Sequence, residues 1–349
     1  MNVEGGHGRL LLYAPNVHTG GGFVLLKCLL EVWPAERTLV AWLDERARAQ
    51  LPLPSGAQVR WVRAAATSRL AAEFALAREA RHGDRVLCFH GLPPLLRSCA
   101  SVHVFQQNRN YLGQVPLSAF AWRTRQRLRF EQAVSRWRRH LVDVYWVQTA
   151  SMARAMQDWW GHAETAPVRV LPFAPQSPVP ATAGAAQWDF VYVADGEAHK
   201  NHRRLVEAWV LLAQQGFKPS LALTLSARDA VLNQWVLEQV RVHGLVISNL
   251  GQMGHELVWA LYGGARALVF PSLGESFGLP LIEAKGLGLP ILAAELDFVR
   301  DVCEPVQTFD AQSAVSIARA VRRFLQQAEM PRTPVSAGEF LTRLMDGVA

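Results

Sequence analysis

Two glutamates separated by seven residues form the strongest chemical pattern in the sequence. Glu275 and Glu283 lie in the segment Pro271-Ser-Leu-Gly-Glu-Ser-Phe-Gly-Leu-Pro-Leu-Ile-Glu-Ala284, which follows a predicted strand. Gly278 would open a helix here, and a helix N terminus beside a glycine can bind phosphate. A carboxylate cannot bind phosphate, but it accepts paired hydrogen bonds from vicinal sugar hydroxyls. The pattern therefore predicts a phosphate between two sugars, whereas an acid favoured by the helix dipole would explain Glu275 alone.

A short basic segment, Ala198-His199-Lys200-Asn201-His202, follows another predicted strand. An ammonium group at a strand-to-helix junction can neutralise a diphosphate together with the helix dipole. A solvated lysine at a helix start is the simpler alternative for this segment when it is considered alone.

The first half of the chain adds three candidates, each after a predicted strand. Gly20, Gly21 and Gly22 precede a helix and would let the backbone approach a ligand closely, although the GxGxxG spacing is absent. His90 and the string Gln106-Gln107-Asn108-Arg109 are expected at the edge of the sheet where ligands bind. A histidine at a strand end is often structural, so both roles stay open for His90.

Short apolar runs alternate with amphipathic segments throughout, which predicts βαβ units and parallel sheets. The predicted strands are Arg9–Tyr13, Thr38–Leu43, Gln58–Val62, Arg85–Phe89, Val102–Phe105, Val144–Val147, Arg169–Leu171, Asp189–Val193, Ala222–Leu225, Val246–Leu250, Ala267–Phe270 and Pro290–Ala293. The predicted helices include Ser68–Arg81, Leu117–His140, Ser151–Trp160, Ala311–Gln327 and Ala337–Met345.

A proline-rich segment at Pro172–Gln187 interrupts this alternation, because proline continues neither a sheet nor a helix. The sequence therefore predicts an α/β protein of two Rossmann-like domains with parallel sheets, at residues 1–175 and 176–330, facing each other across a cleft. A C-terminal helix at 331–349 could pack back on the first domain.

Composition narrows the class of protein. The chain has 349 residues, half of them hydrophobic, and four scattered cysteines without a CxxC pair. This pattern favours a reducing cytoplasm over a disulfide framework or a zinc site. No HExxH, DxD or acidic cluster is present, so no metal is expected. No secretory signal is visible, and no apolar run approaches the roughly 20 residues of a membrane span.

Positive charge is concentrated in the first half. Residues 1–175 hold 22 Lys+Arg against 12 Asp+Glu, and the remainder holds 14 against 17, within a net charge of +7. The predicted helix at Trp122–His140 carries seven arginines interleaved with Trp122, Phe130 and Trp137. Such a helix suits an anionic membrane surface. It could also bind nucleic acid, or be a solvated helix whose arginine stems cover apolar surface.

The segment around Glu275 and Glu283 resembles the signature of retaining glycosyltransferase family 4, whose members have the GT-B fold. The resemblance covers residues 188–310 and includes Asn249–Met253, Glu256–Tyr262, Gly288–Pro290 and Asp301. It implies that Glu275 contacts the donor sugar, Glu283 the ribose, and the backbone near Gly251–Met253 the base. It also places the glycine-rich loop opposite the donor diphosphate.

Together, the residues and the resemblance give two predicted sets. The catalytic set is Glu275, Lys200, His90 and Asn108. The donor-binding set is Gly21, Gly22, His199, Gln252, Met253, Ser276, Phe277, Gly278, Leu279 and Glu283.

The sequence departs from the family at two places. Ala194-Asp-Gly196 stands where many members carry an arginine, which leaves His199, His202 or Arg203 as the second cation. Gln107 or Asn108 stands where relatives often have a histidine.

The expected activity is retaining transfer of a sugar from a nucleoside diphosphate donor, with a mannose- or rhamnose-like sugar favoured. The acceptor would be a saccharide or a lipid-linked saccharide in bacterial surface polysaccharide or glycolipid synthesis. No metal cofactor and no nucleic-acid partner are expected. The chain would be cytoplasmic, with peripheral contact to the inner membrane face. A nucleotide-sugar epimerase of the same architecture, or a non-enzymatic nucleic-acid-binding protein, would be the alternatives.

Overall fold

The computed structural model describes residues 8–113, 122–161, 166–176, 186–327, 336–337 and 345. The strands are β1 (Leu10–Ala14), β2 (Val40–Asp44), β3 (Gln58–Val62), β4 (Arg85–Cys88), β5 (Ser101–Phe105), β6 (Val144–Val147), β7 (Val168–Val170), β8 (Trp188–Tyr192), β9 (Leu221–Leu223), β10 (Ile247–Asn249), β11 (Ala265–Phe270), β12 (Ile291–Ala294) and β13 (Gln307–Phe309). The helices are α1 (Gly20–Glu31), α2 (Ala66–Glu79), α3 (Trp122–Arg138), α4 (Ala150–Trp160), α5 (His202–Gln214), α6 (Ala230–His243), α7 (His255–Gly263), α8 (Leu279–Gly286), α9 (Asp297–Arg300) and α10 (Ala314–Phe324).

These strands form two sheets in which all recorded pairs are parallel. The first has the order β3-β2-β1-β4-β5-β6-β7 and the second the order β10-β9-β8-β11-β12-β13. The predicted α/β architecture with two parallel-sheet, Rossmann-like domains is thus confirmed. The strand order reverses between β1 and β4 and again between β8 and β11. Ligands of such sheets bind beyond the carboxyl ends of the strands at these reversals.

Alternate residues of a strand point to opposite faces of a sheet, and helices pack on both faces of the first sheet. Leu11 and Tyr13 pack with residues of α2 and α4, whereas Leu12 and Ala14 pack with residues of α1. The second sheet has its own continuous core. Helices therefore cover the sheets and leave the loops at the strand ends to build a site.

The observed strands differ from the predicted ones by at most two residues at either end, with one omission. Strand β13 was not predicted, because its three residues form an edge strand without an apolar run. The predicted helix at Leu117–His140 is seen as α3 from Trp122, and residues 117–121 lie outside the described part. Most of the predicted helix at 331–349 and the centre of the proline-rich segment lie outside it as well.

An apolar cluster crosses from one domain to the other. Phe277 and Leu279, which precede and begin α8, pack among Leu25, Leu26 and Phe105 of the first domain. The two domains thus share buried apolar surface directly beside the predicted site.

Candidate active site

Helix α8 begins in a way that leaves its N terminus open. Gly278 adopts a left-handed conformation, with φ of 74°, and no side chain caps the helix. A β-carbon at this position would strain the backbone and lie 3.1 Å from Leu281 Cδ1. The first turn contains no acid, so the positive end of the helix dipole is not neutralised from within the helix.

Helix α1 brings a second open N terminus to the same place. The side chain of Thr19 makes no capping bond, and the first turn of α1 also lacks an acid. Gly21 lies so close to the start of α8 that a β-carbon on it would be 3.1 Å from Leu279 Cδ1. A β-carbon on Gly22 would lie 3.2 Å from Gln107 Oε1. Two positive helix ends therefore converge, and the absence of a side chain at Gly21 allows the approach.

Lys200 and Glu275 meet beside this convergence. Lys200 Nζ donates to Glu275 Oε1 at 2.8 Å and to Oε2 at 3.0 Å, and Ser272 Oγ donates to Oε1 at 2.7 Å. Burial disfavours the ammonium charge, but nearby carboxylates, Glu275 foremost, outweigh it and raise the pKa of Lys200 above its ordinary value. The two predicted catalytic residues thus form a charged pair.

The backbone around Lys200 explains how this pair is positioned. Asn201 has a left-handed φ of 62°, and its amide Nδ2 donates to the carbonyls of Pro271 and Ala311 at 3.1 and 2.7 Å. The N–H of Leu273 donates to the carbonyl of His199 at 2.8 Å. The loops after β8 and β11 are therefore tied together, and the Lys200 and Glu275 side chains are held in register.

Glu283 is buried and already has two partners. His255 Nε2 lies 2.8 Å from Glu283 Oε1, and the Tyr262 hydroxyl donates to Oε2 at 3.1 Å. Gln252 is exposed and Met253 half-buried in the loop after β10, which leads directly to His255 at the start of α7. The structure therefore places the predicted base loop next to the predicted ribose ligand, and the remaining lone pairs of Glu283 can accept further hydrogen bonds.

The three residues considered as the second cation have different surroundings. His199 is half-buried, with Nδ1 3.3 Å from Glu197 Oε2. His202 is buried in the core against Tyr192, and the described residues offer neither of its ring nitrogens a hydrogen-bond partner. Arg203 stacks over the Trp235 ring at 4.5 Å. The side chains of His202 and Arg203 are therefore packed against aromatic rings, and the charge of Lys200 helps to lower the pKa of His202.

An arginine from the opposite domain reaches the site instead. Arg109 Nη1 donates to the carbonyl of Glu275 at 3.0 Å, and its backbone N–H donates to Ser276 Oγ at 3.2 Å. Thr149 Oγ1 donates to the carbonyl of Ser276 at 3.2 Å. Ser276, predicted to bind the donor, thus also joins the two domains. The side chains of Phe277 and Leu279 are committed to the apolar cluster, so these two residues can offer a donor only their backbone.

His90 and Asn108 lie at the carboxyl edge of the first sheet as expected, but both are engaged. His90 Nδ1 is 3.4 Å from the carbonyl of Tyr13, whose ring it contacts edge-on. Burial lowers the pKa of His90 to about 4, so the ring is neutral at pH 7. The Asn108 side chain accepts from the N–H of Asn110 at 3.0 Å and caps a short turn. Its oxygen is thus partly used by the fold.

Three contributors were given no such contact by the sequence patterns, although Arg109 stood in the polar string after β5 and Asp301 in the region of resemblance. Arg109 and Asp301 act across the domain interface, the latter by accepting the Ser151 N–H at 2.7 Å at the start of α4. His255 was missed although it stands beside the segment Glu256–Tyr262 that carried part of the resemblance. The position of His255 immediately before that segment was the available signal.

A family model matches the second half of the chain. Residues 182–339 match the model of the glycosyl transferases group 1. The second domain belongs to this family. The family prediction made from the two-glutamate segment is thereby confirmed.

Curated relatives match part of the chain. The serotype-specific mannosyltransferase WbdA of Escherichia coli is 29% identical over 156 residues, which are 44% of this chain and 19% of the relative. The O-antigen chain mannosyltransferase B of Escherichia coli is 33% identical over 116 residues, 32% of this chain and 30% of the relative. The matches thus span less than a third of each relative.

Solved structures match both domains. Sucrose-phosphate synthase from Thermosynechococcus elongatus aligns with a TM-score of 0.67 over 91% of this chain and 90% of that chain, at 17% identity. Anabaena Alr3699/HepE in complex with UDP and glucose aligns with a TM-score of 0.64 over 92% and 90%, at 13% identity. These likenesses extend over nearly the whole chain and support the GT-B fold.

Proposed function

We propose that this chain transfers a sugar from a nucleoside diphosphate sugar to an acceptor hydroxyl. The observation that carries the proposal is the convergence of the N termini of α1 and α8, neither of which has an acid in its first turn. A diphosphate is the group that such a place stabilises best. Glu283, beside the loop of Gln252 and Met253, would hold the ribose, and Glu275 would hold the transferred sugar.

The proposed reaction forms a bond between the acceptor oxygen and the anomeric carbon while the bond from that carbon to the diphosphate breaks. The acceptor proton passes to the leaving phosphate oxygen on the same face, which gives retention. Lys200 and the start of α8 would stabilise the charge that develops on the diphosphate. Since these groups supply positive charge, we expect turnover to be unchanged by EDTA.

A mannose donor is the first choice, because two of the relatives that match part of this chain are named mannosyltransferases. The name of one of them refers to O-antigen chains, which favours an acceptor in bacterial surface polysaccharide synthesis. Neither the base of the donor nor its sugar is fixed by Glu283 or Glu275, which recognise hydroxyl groups common to many nucleotide-sugars.

Helix α3 supports contact with an anionic membrane that presents a lipid-linked acceptor. Trp122, Phe130 and Trp137 are 67%, 67% and 64% exposed. At about 100° per residue these side chains fall within about 80° of one another, whereas Leu128 and Ser135 on the opposite side are buried. An aromatic ridge flanked by arginines fits an anionic bilayer better than a merely solvated helix does. No helix in the described ranges is long and apolar enough to cross a membrane.

The activity is tested by a thermal-shift screen of UDP- and GDP-sugars, followed by transfer assays with the sugars that bind. Stabilisation by one nucleotide-sugar, and transfer that requires a saccharide acceptor, would support the proposal. Conversion of the nucleotide-sugar without an acceptor would indicate an epimerase. Steeply salt-dependent binding to DNA, with no response to any nucleotide-sugar, would indicate a nucleic-acid-binding protein.

Membrane contact is tested by sedimentation with vesicles of phosphatidylglycerol or of phosphatidylcholine. The variant with Phe130→Ala and Trp137→Ala should lose binding to the anionic vesicles. Phe74→Ala, which removes an exposed aromatic ring from α2, should not. Equal binding by all three proteins, or no binding by the native chain, would contradict this part of the proposal.

A further inference from the structure

Among the described residues, one guanidinium group at the edge of the first sheet has no carboxylate within ion-pair distance. Arg69 lies near the start of α2, and its Nη2 donates to Asn16 Oδ1 at 2.8 Å. Its Nε is buried, and the described residues provide no hydrogen-bond partner for it. No ion pair of the described residues includes Arg69.

The acid that the helix would offer to Arg69 is turned elsewhere. Glu73 stands four residues later on α2, the spacing at which a carboxylate can pair with an arginine. Glu73 instead accepts from the Tyr13 hydroxyl at 2.9 Å and from the Leu95 N–H at 2.8 Å. The Arg69 charge acts on the Glu131 carboxylate of α3 only from beyond ion-pair distance, so the guanidinium has no direct counterion and is available for an anion.

A second arginine meets Arg69 at the same amide oxygen. Arg46 Nη2 lies 3.5 Å from Asn16 Oδ1, so the two guanidinium groups converge on one neutral acceptor. Arg46 is also paired at 2.6 Å with Asp44, which is fully buried and neutralises only one of the two charges. The pair therefore keeps an excess positive charge.

The location is on the acceptor side of the cleft. Asn16 follows β1, Arg46 follows β2 and Arg69 follows β3, so all three lie beyond the carboxyl ends of adjacent strands. The charge of Arg69 also acts on the ring of His90, which follows β4. The donor residues Lys200 and Glu275 belong to the other domain. The two arginines are thus placed to contact the molecule that meets the donor.

We propose that Arg69 and Arg46 bind a phosphate group on the acceptor, which would be a phosphorylated or diphosphate-linked saccharide. The Arg69 guanidinium can donate paired N–H bonds to the oxygens of a phosphate, and Arg46, whose Nε and Nη2 are held by Asp44, adds positive charge beside it. The proposal deepens the proposed function and rests on it for the word acceptor, but the binding of a phosphate by Arg69 can be measured without turnover.

The test is calorimetric titration with α-D-glucose 1-phosphate in the presence of saturating UDP or GDP, whichever the chain binds. Methyl α-D-glucopyranoside serves as the neutral probe. Arg69→Gln should weaken binding of the phosphate probe about tenfold or more, the range for a hydrogen bond to a charged group. Arg69→Lys keeps the charge without the fork and should fall between. Arg78→Gln, which removes an exposed arginine from the same helix, is the matched control and should bind like the native chain.

Three results would overturn the proposal. In the first, Arg69→Gln binds the phosphate probe as tightly as the native chain does and has an unchanged thermal midpoint. In the second, the neutral probe binds as tightly as the phosphate probe. In the third, Lys200→Met loses binding of the phosphate probe but Arg69→Gln does not. The last result would place the phosphate in the donor site. If no nucleoside diphosphate binds, the titration is run without it. Binding that depends on Arg69 would then survive even though the proposed transferase function had failed.

Discussion

Substituting Lys200 and substituting Glu275 are expected to have opposite effects on nucleotide binding, although each substitution breaks the same ion pair. Glu275 lies 2.8 Å from the ammonium that the donor diphosphate needs, so its carboxylate would compete with the phosphate for Lys200. Glu275→Gln removes this competition and keeps an oxygen that can accept from Lys200. Lys200→Met removes the cation itself.

The expected sizes follow from the geometry. A phosphate on the far side of the ammonium would lie about 6 Å from the carboxylate, where two unit charges repel by about 0.7 kcal/mol at a dielectric constant of about 80 and by about 2.8 kcal/mol at about 20. Glu275→Gln should therefore tighten binding of free UDP or GDP by about threefold or more. Lys200→Met should weaken it by about 10- to 150-fold, the range for a charged hydrogen bond.

The assay is calorimetric titration of each variant with UDP and with GDP, which lack the transferred sugar. Lys218→Met removes an exposed lysine of the same domain and should leave the affinity unchanged. Turnover should fall in Glu275→Gln despite its tighter nucleotide binding, because the sugar loses its carboxylate ligand. Equal weakening by Glu275→Gln and Lys200→Met would refute the reasoning, since it would make the two residues one structural unit rather than competing charges.

Three further predictions concern the surroundings of the site. Glu283→Gln should weaken UDP or GDP binding about tenfold, measured by the same titration, because it removes the charge that accepts from ribose. His202→Phe should reduce the loss of folding stability that accompanies acidification below pH 7. Burial, with Lys200 opposing and Asp229 favouring the charge, lowers the pKa of His202 to about 4. The unfolded chain then binds more protons than the folded chain between about pH 4 and 6.5. The free energy of unfolding of the native chain should therefore fall by about 2 kcal/mol from pH 7 to pH 5 because of His202. Urea titrations at the two pH values should show that the variant avoids this loss. Asp301→Asn should lower the thermal midpoint, because the buried helix end of α4 loses a charged cap that is worth about 0.5–2 kcal/mol.

Each of these has a clear contrary result. Native nucleotide affinity in Glu283→Gln would mean that its partners His255 and Tyr262 use the carboxylate for the fold alone. An equal loss of stability on acidification in His202→Phe would assign the acid limb to other groups, such as His90. An unchanged midpoint in Asp301→Asn would mean that the domains are held by the apolar cluster and not by this contact.

The position of the site could be predicted from local sequence because the ends of the strands could be identified from the apolar runs. Lys200 and Glu275 each lie in the loop that follows a strand of branched and aromatic apolar residues, and parallel strands bring such loops to one edge. The family resemblance added roles that spacing alone could not supply. That the two side chains would pair with each other was not predicted, because it depends on Asn201 bridging the loops to Pro271 and Ala311.

Contacts between the domains were beyond a sequence-based argument. Arg109 was seen as part of a polar string after β5, but nothing in the first half states which residues of the second domain it will face. The inward direction of His202 was equally hidden, because a histidine at a helix start can point either to the ligand or to the core. The orientation was decided by the turn of α5 against Tyr192.

The central claim is tested most directly by a crystal structure of the chain with UDP or GDP, whichever binds more tightly. The account predicts the diphosphate between Gly21 and the first turn of α8, within hydrogen-bonding distance of Lys200 Nζ, with Glu275 displaced from that ammonium and Glu283 on the ribose. A nucleotide bound away from Gly278, or a Lys200–Glu275 pair left intact beside a bound diphosphate, would contradict it.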